Sequence, residues 1–148
     1  MKILKLIINT KSERYPILIG SNLLLNLSKT LNKNLIKFKK CLLIIDKNIP
    51  TKQINIIKKN LRNKEIFSYK FKASETNKNQ KSIDKILEIL LKKNFSRQDS
   101  IISIGGGITG DVSGYAASLF KRGIQFINIP STLLAQVDSS IGGKTGIN

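Results

Sequence analysis

The residues best suited to chemistry sit in the last third of the chain, in segments built around glycine. In Ile104-Gly105-Gly106-Gly107-Ile108-Thr109-Gly110-Asp111, the residues Gly105, Gly107 and Gly110 satisfy a G-x-G-x-x-G spacing. Such glycines let the backbone approach a pyrophosphate, and a helix starting there offers aligned N–H groups to an anion. The usual dinucleotide fingerprint follows the first strand and has an acidic residue about 20 positions on for the ribose. Here the turn follows a late strand, and no such acidic residue is present. A tight strand-to-helix turn needing positive φ would also use these glycines. Three consecutive glycines before a helix favour anion binding over that plainer account. Asp111 either caps or charges the helix start, or contacts a ligand.

A second segment, Asp138-Ser139-Ser140-Ile141-Gly142-Gly143-Lys144-Thr145-Gly146, ends like a phosphate-binding P-loop. That motif needs glycine five residues before Gly143, and the position is Asp138, so a P-loop is excluded. What remains is a carboxylate and a lysine, Asp138 and Lys144, around glycines that bring backbone close to a ligand. A third segment, Phe120-Lys121-Arg122-Gly123, follows a helix pattern. Lys121 and Arg122 there balance the helix dipole and Gly123 closes the helix. Arg122 is left able to hold an anionic substrate group with both arms of its guanidinium.

Composition removes several alternatives. The 148 residues contain no histidine, which excludes a Ser-His-Asp or Cys-His pair within the chain and the commonest zinc ligand. A single cysteine, Cys41, rules out an intramolecular disulfide and reads as a small core residue in Cys41-Leu42-Leu43-Ile44-Ile45. The formal net charge of +17 attracts anions in general. Its lysines are scattered beside Asn and Ile, without the clustering of a polyanion patch, so no nucleic-acid partner is expected. No apolar run approaches the roughly 20 residues of a membrane span, so no membrane association is expected either.

These segments need a framework to position them, and the hydrophobic patterning supplies one. Met1 to Ile8 has the look of a short signal peptide. Lys5 breaks its apolar stretch, however, and no small-residue cleavage site follows. It reads as a first strand, and the protein as cytosolic. Strands are predicted at Arg14–Ile19, Lys40–Asp46, Glu65–Phe71, Ser100–Ile104 and Ile124–Ile129. Helices are predicted at Leu23–Leu35, from Pro50 to about Arg62, at Ser82–Phe95, at Ile108–Phe120 and, briefly, at Ser131–Val137. In the clearest of them Ile83, Ile86, Leu87, Leu90 and Leu91 form one stripe facing a sheet. The polar run Thr76 to Lys81 reads as a loop. Alternating strands and helices predict one α/β domain over residues 1–148, a Rossmann-like, mainly parallel sheet with helices on both faces. Ligands of such sheets bind beyond the carboxyl ends of the strands, where the glycine-rich segments fall.

Together these segments resemble the 3-dehydroquinate synthase family. The resemblance rests on Gly-Gly-Gly-Ile-Thr-Gly-Asp at 105–111, on Lys121-Arg122-Gly123, and on the run from Ile129 through Pro130-Ser131-Thr132 to Lys144-Thr145. It implies an enzyme that converts 3-deoxy-D-arabino-heptulosonate 7-phosphate to 3-dehydroquinate and phosphate, in the shikimate route to aromatic amino acids. It also implies NAD and a divalent metal, zinc or cobalt, as cofactors. By the same resemblance Gly106, Gly107, Ile108, Thr109, Gly110 and Asp111 match the pyrophosphate turn, and Ser131 and Thr132 a hydroxyl pair at the cofactor. Lys144 matches a lysine near nicotinamide and substrate, and Asp138 and Arg122 match substrate contacts. Asp46, at the end of a buried strand, is expected at the adenosine end of NAD. Glu75 and Lys78 match a Gly-Glu-x-x-Lys loop in which Ser74 replaces the glycine.

The family's metal ligands, a glutamate and two histidines, belong to a C-terminal helical domain and are not matched here. The resemblance therefore implies that these 148 residues alone are inactive, and that a full-length protein would be a homodimer. Two alternatives are a related sugar-phosphate cyclase and a non-catalytic nucleotide-binding or nucleic-acid-binding module.

Overall fold

A computed structural model describes residues 3–10, 14–143 and 145–148. Its centre is a four-stranded, fully parallel sheet in the order β4-β3-β5-β6. These strands are β3 (Lys40–Asp46), β4 (Glu65–Phe71), β5 (Ser100–Gly105) and β6 (Gln125–Pro130). Central β3 and β5 are almost wholly buried, as their continuous apolar runs require of strands covered on both faces.

Helices cover both faces. On one, α1 (Leu27–Lys33) and α2 (Thr51–Asn60) pack with Cys41, Leu43, Ile45, Ile102 and Ile104. On the other, α3 (Gln80–Lys92) and α4 (Gly107–Leu119) enclose Leu42, Ile44 and Ile101. Pro50 directly precedes α2, where its missing N–H costs nothing. Asn79 caps α3 by accepting from the Ser82 N–H at 3.1 Å, so the helix starts inside the run read as a loop. Ile83, Ile86 and Leu90 are fully buried, while Leu91 is 61% exposed, so the apolar stripe is narrower than its spacing predicts. The Leu23–Leu35 helix is realised as a 3₁₀ turn, Leu24–Asn26, broken at Asn26 before α1.

The first strands depart most from expectation. β1 (Leu4–Asn9) and β2 (Arg14–Ile19) pair antiparallel, from Leu4↔Ile19 to Asn9↔Arg14, as a sheet of their own. Only four residues separate them, enough for a hairpin and far too few for a parallel crossover. Alternation therefore begins at α1, and Arg14–Ile19 does not join the parallel sheet. The helix expected over Ser131–Val137 is a short helical segment whose end, Ala135–Ser139, is a wide π turn.

Candidate functional site

The chain visits β3, then β4 on one side, then crosses to β5 on the other. From β3 it leaves towards α2 on one face, and from β5 towards α4 on the opposite face. This reversal opens a crevice beyond the carboxyl ends of β3 and β5, where open α/β sheets bind ligands. Asp46 ends β3 on one side of it and Gly105 ends β5 on the other.

The start of α4 leaves its backbone N–H groups open. Gly106 stands at its N-cap with no side-chain cap, so the first helical N–H groups have no intrahelical partner and face outward. Asp111 lies beyond the first turn and caps nothing. The glycines of the turn are not there for positive φ, which none of them adopts. They are there for close approach. A Cβ on Gly105 would fall 2.6 Å from Thr109 Oγ1, one on Gly107 would fall 3.1 Å from Ser139 Oγ, and one on Gly110 would fall 3.2 Å from Asn128 Nδ2. Gly106 has ordinary space, 3.5 Å from the Thr132 methyl. Thr109, Ser139 and Asn128 each hold a buried oxygen without a protein hydrogen-bond partner, close beneath the turn. Ile108 is half-buried beside them.

The Glu75–Lys78 loop closes over this helix start. Lys78 Nζ lies 2.9 Å from Asp111 Oδ2, with side chains 22% and 17% exposed. Glu75 Oε2 accepts from Asn148 Nδ2 at 3.1 Å, and the Asn148 N–H donates to the Lys78 carbonyl at 3.0 Å. Residues 145–148 thus run over α4 to reach the loop. Gly114 permits that path, since a Cβ there would lie 2.5 Å from Thr145 Cγ2.

Beyond β6 the Ser131 N–H donates to the Gly105 carbonyl at 2.8 Å, which fastens this segment to the glycine turn. Thr132 Oγ1 accepts from the Ala135 N–H at 3.1 Å and so caps the helical turn that follows. Asp138 is exposed at the end of that turn. Gly142 and Gly143 have φ of +93° and +67°, a backbone that needs glycine. Lys144 lies outside the described residues. Asp46 Oδ1 accepts from the Asn48 N–H at 3.0 Å, which orients the carboxylate at the crevice rim.

Arg122 is not gathered with the others. It lies between α4 and β6, beside Gln125, at the amino edge of the sheet. A six-residue strand places it about 20 Å from the glycine turn. Lys121 donates to the Phe95 carbonyl at 2.8 Å, and Gly123, at φ +112°, closes the helix as its sequence position predicts.

The residues fit a dinucleotide better than a metal. An uncapped helix start, glycines without room for Cβ, and unpartnered buried oxygens together suit a pyrophosphate laid against backbone. Among the described residues no three acidic, cysteine or histidine side chains come together. Burial pushes the Cys41 thiol up to about 12 from an ordinary 9.0, with Asp99 adding to the rise against nearby Lys64, so this residue is no thiolate ligand. The described residues thus offer no ready-made metal centre.

Patterning missed Asn128, Ser139 and Asn148. Asn128 sits in a strand, where alternation alone carries no sign that it abuts Gly110. Asn148 reaches Glu75 across 73 positions, beyond any local signal.

The strand order and the helices on both faces define an open, doubly wound α/β domain. A sequence model described as 3-dehydroquinate synthase N-terminal matches residues 68–148, and the chain belongs to that family. The 3-dehydroquinate synthase of Pelagibacter ubique (strain HTCC1062) is 57% identical over 148 residues, taking in 100% of this chain and 40% of the relative. That of Alkaliphilus metalliredigens (strain QYMF) is 41% identical over 144 residues, 97% of this chain and 39% of the relative. The chain thus spans about 40% of the length of the curated relatives it matches. Among solved structures, 2-deoxy-scyllo-inosose synthase complexed with carbaglucose-6-phosphate, NAD+ and Co2+ superposes with a TM-score of 0.88 at 23% identity, over 98% of this chain and 40% of that one. ValA, a 2-epi-5-epi-valiolone synthase from Streptomyces hygroscopicus subsp. jinggangensis 5008 with NAD+ and Zn2+ bound, gives 0.69 at 26% identity, over 75% and 32%.

Proposed function

We propose that this chain is the NAD-binding part of a 3-dehydroquinate synthase, the enzyme that forms 3-dehydroquinate and phosphate from 3-deoxy-D-arabino-heptulosonate 7-phosphate. The observation that carries the reading is the uncapped start of α4 at the switch point, closed over by the Lys78–Asp111 pair. In this reading the N–H groups of Gly107, Ile108 and Thr109 bind the pyrophosphate, with Gly106 and Gly110 giving it room. Asp46 accepts from the adenosine ribose hydroxyls. Ser131 and Thr132 border the cofactor, and Lys78, Glu75 and Asp111 orient its nicotinamide half. Asp138 and Lys144 hold the substrate beside it. When bound, NAD supplies reversible hydride transfer. Arg122 is left out of this single-chain site by its place at the amino edge.

The metal is assigned to residues other than those described, and no step through it is derived. The phosphorylated substrate, a homodimer and a cytosolic setting belong to the same proposal. A related sugar-phosphate cyclase is the second reading, favoured by the likeness to ValA at 26% identity. Both readings require NAD, and the substrate turned over by the assembled enzyme separates them.

The test is calorimetric titration of the 148-residue chain with NAD at several salt concentrations. Saturable binding that weakens only mildly between about 50 and 200 mM salt is expected, because few phosphates are neutralised. Asp46→Ala is expected to weaken it by about ten-fold, the scale of a charge-assisted hydrogen bond. No NAD binding, together with steeply salt-dependent binding of an oligonucleotide, would replace the reading with a polyanion module.

A further inference from the structure

The β1–β2 hairpin has no strand pairing with the parallel sheet, yet it reaches the candidate site through one side chain. The Gly142 N–H donates to Tyr15 Oη at 3.0 Å across 127 positions. The loop that receives this bond is otherwise lightly held. Gly142 and Gly143 both adopt positive φ, and a Cβ at either would meet nothing within 4 Å. Val137 and Ile141 are 64% and 42% exposed, so the loop is not packed down by its apolar residues. Among the described residues its other bonds are short in sequence: Ser140 N–H to the Ala135 carbonyl, Ile141 N–H to the Asp138 carbonyl, and Ser140 Oγ to the Gln136 carbonyl. The same segment places Ser139 Oγ against Gly107 in the glycine turn.

We propose that Tyr15 is a positioning residue for the cofactor site. Its phenol oxygen fixes the Asp138–Gly143 loop, and through that loop holds Ser139 against the glycine turn and sets where Asp138 stands. The hairpin thereby acts as an outrigger that orders the site from outside the sheet. The role in ligand binding rests on the NAD reading above, but the tether itself does not depend on it.

The experiment compares the 148-residue chain with Tyr15→Phe, which keeps the ring and removes the acceptor. Nitrogen-15 NMR reads the Gly142 amide and NAD calorimetry reads the site. The expected result is an upfield shift and faster exchange of the Gly142 amide, with the β3 to β6 amides unchanged. NAD should bind about two- to ten-fold more weakly, the range one hydrogen bond spans. Site-specific 3-fluorotyrosine at position 15, a weaker acceptor of the same shape, must move the Gly142 amide in the same direction. An unchanged Gly142 amide overturns the proposal. So does a shifted amide with unaltered NAD affinity, since the bond would then be structural only. If the unsubstituted chain does not bind NAD, the functional reading fails by itself. The relaxation rates of the Asp138–Gly143 amides then decide the tether: higher mobility in Tyr15→Phe supports it, and unchanged mobility sinks it.

Discussion

Lys78 and Asp111 meet at 2.9 Å, each about four-fifths buried, and so join the loop before α3 to the helix that starts at the glycine turn. Neither charge has water enough around it to stand alone cheaply. Removing one partner leaves the other partly desolvated, and removing both does not. Lys78→Met and Asp111→Asn are each expected to lower stability by about 1–3 kcal/mol, with the double variant costing less than the sum. Urea unfolding of the four proteins measures that coupling, and strict additivity would deny the pair any role.

Gly105→Ala must push Thr109 aside, because the added methyl falls 2.6 Å from its hydroxyl in a fully buried helix position. A loss of about 1–3 kcal/mol is expected, the usual cost of overpacking. Thr109→Ala should return little of it in the double variant, because Thr109 Cβ itself lies 2.7 Å from the added methyl. Thermal unfolding of both proteins provides the check.

Much of this framework was readable beforehand. The bounds of β3 follow from an apolar run, Cys41 to Ile45, that suits a strand covered on both faces, and those of edge strand β4 were read as well. Alternation then dictated the parallel sheet and the end at which the glycines gather. The reason for those glycines was not legible. Positive φ and close approach leave the same letters in a sequence, and only the position of Thr109, Asn128 and Ser139 distinguishes them. The hairpin's separation from the sheet, the exposure of Leu91 and the bond from Gly142 to Tyr15 depend on tertiary placement with no local trace.

Cys41 gives a pH signature. Its thiol ionises at about 12 in the folded chain against 9.0 ordinarily, so between those values the folded protein holds a proton that the unfolded one has lost. Stability from this group is complete below pH 9.0 and declines as pH rises towards 12. The difference in unfolding free energy between the native chain and Cys41→Ala should therefore shrink by up to about 1.4 kcal/mol per pH unit across that window. Alkylation of Cys41 by iodoacetamide at neutral pH should be negligible until the chain is unfolded.

Leu133 and Leu134 are 76% and 72% exposed, next to Val137. Leu133→Gln with Leu134→Lys should leave stability within about 0.5 kcal/mol, as for surface substitutions generally. Binding of a hydrophobic dye should fall, since these side chains form part of the exposed apolar surface. A large loss of stability would mean that the pair is buried in solution.

The order of the sheet also dictates when the glycine turn can exist. β3 is made first among the four strands but lies inside, with Cys41 paired to Ser100 only after α2, β4 and α3 have been synthesised. During translation a β3–β4 unit therefore carries an open, apolar edge on β3, the kind that invites mispairing with other chains. The glycine turn lies between β5 and α4, so it is assembled late. Whatever binds beside that helix start can stabilise only the finished sheet, not the vulnerable intermediate.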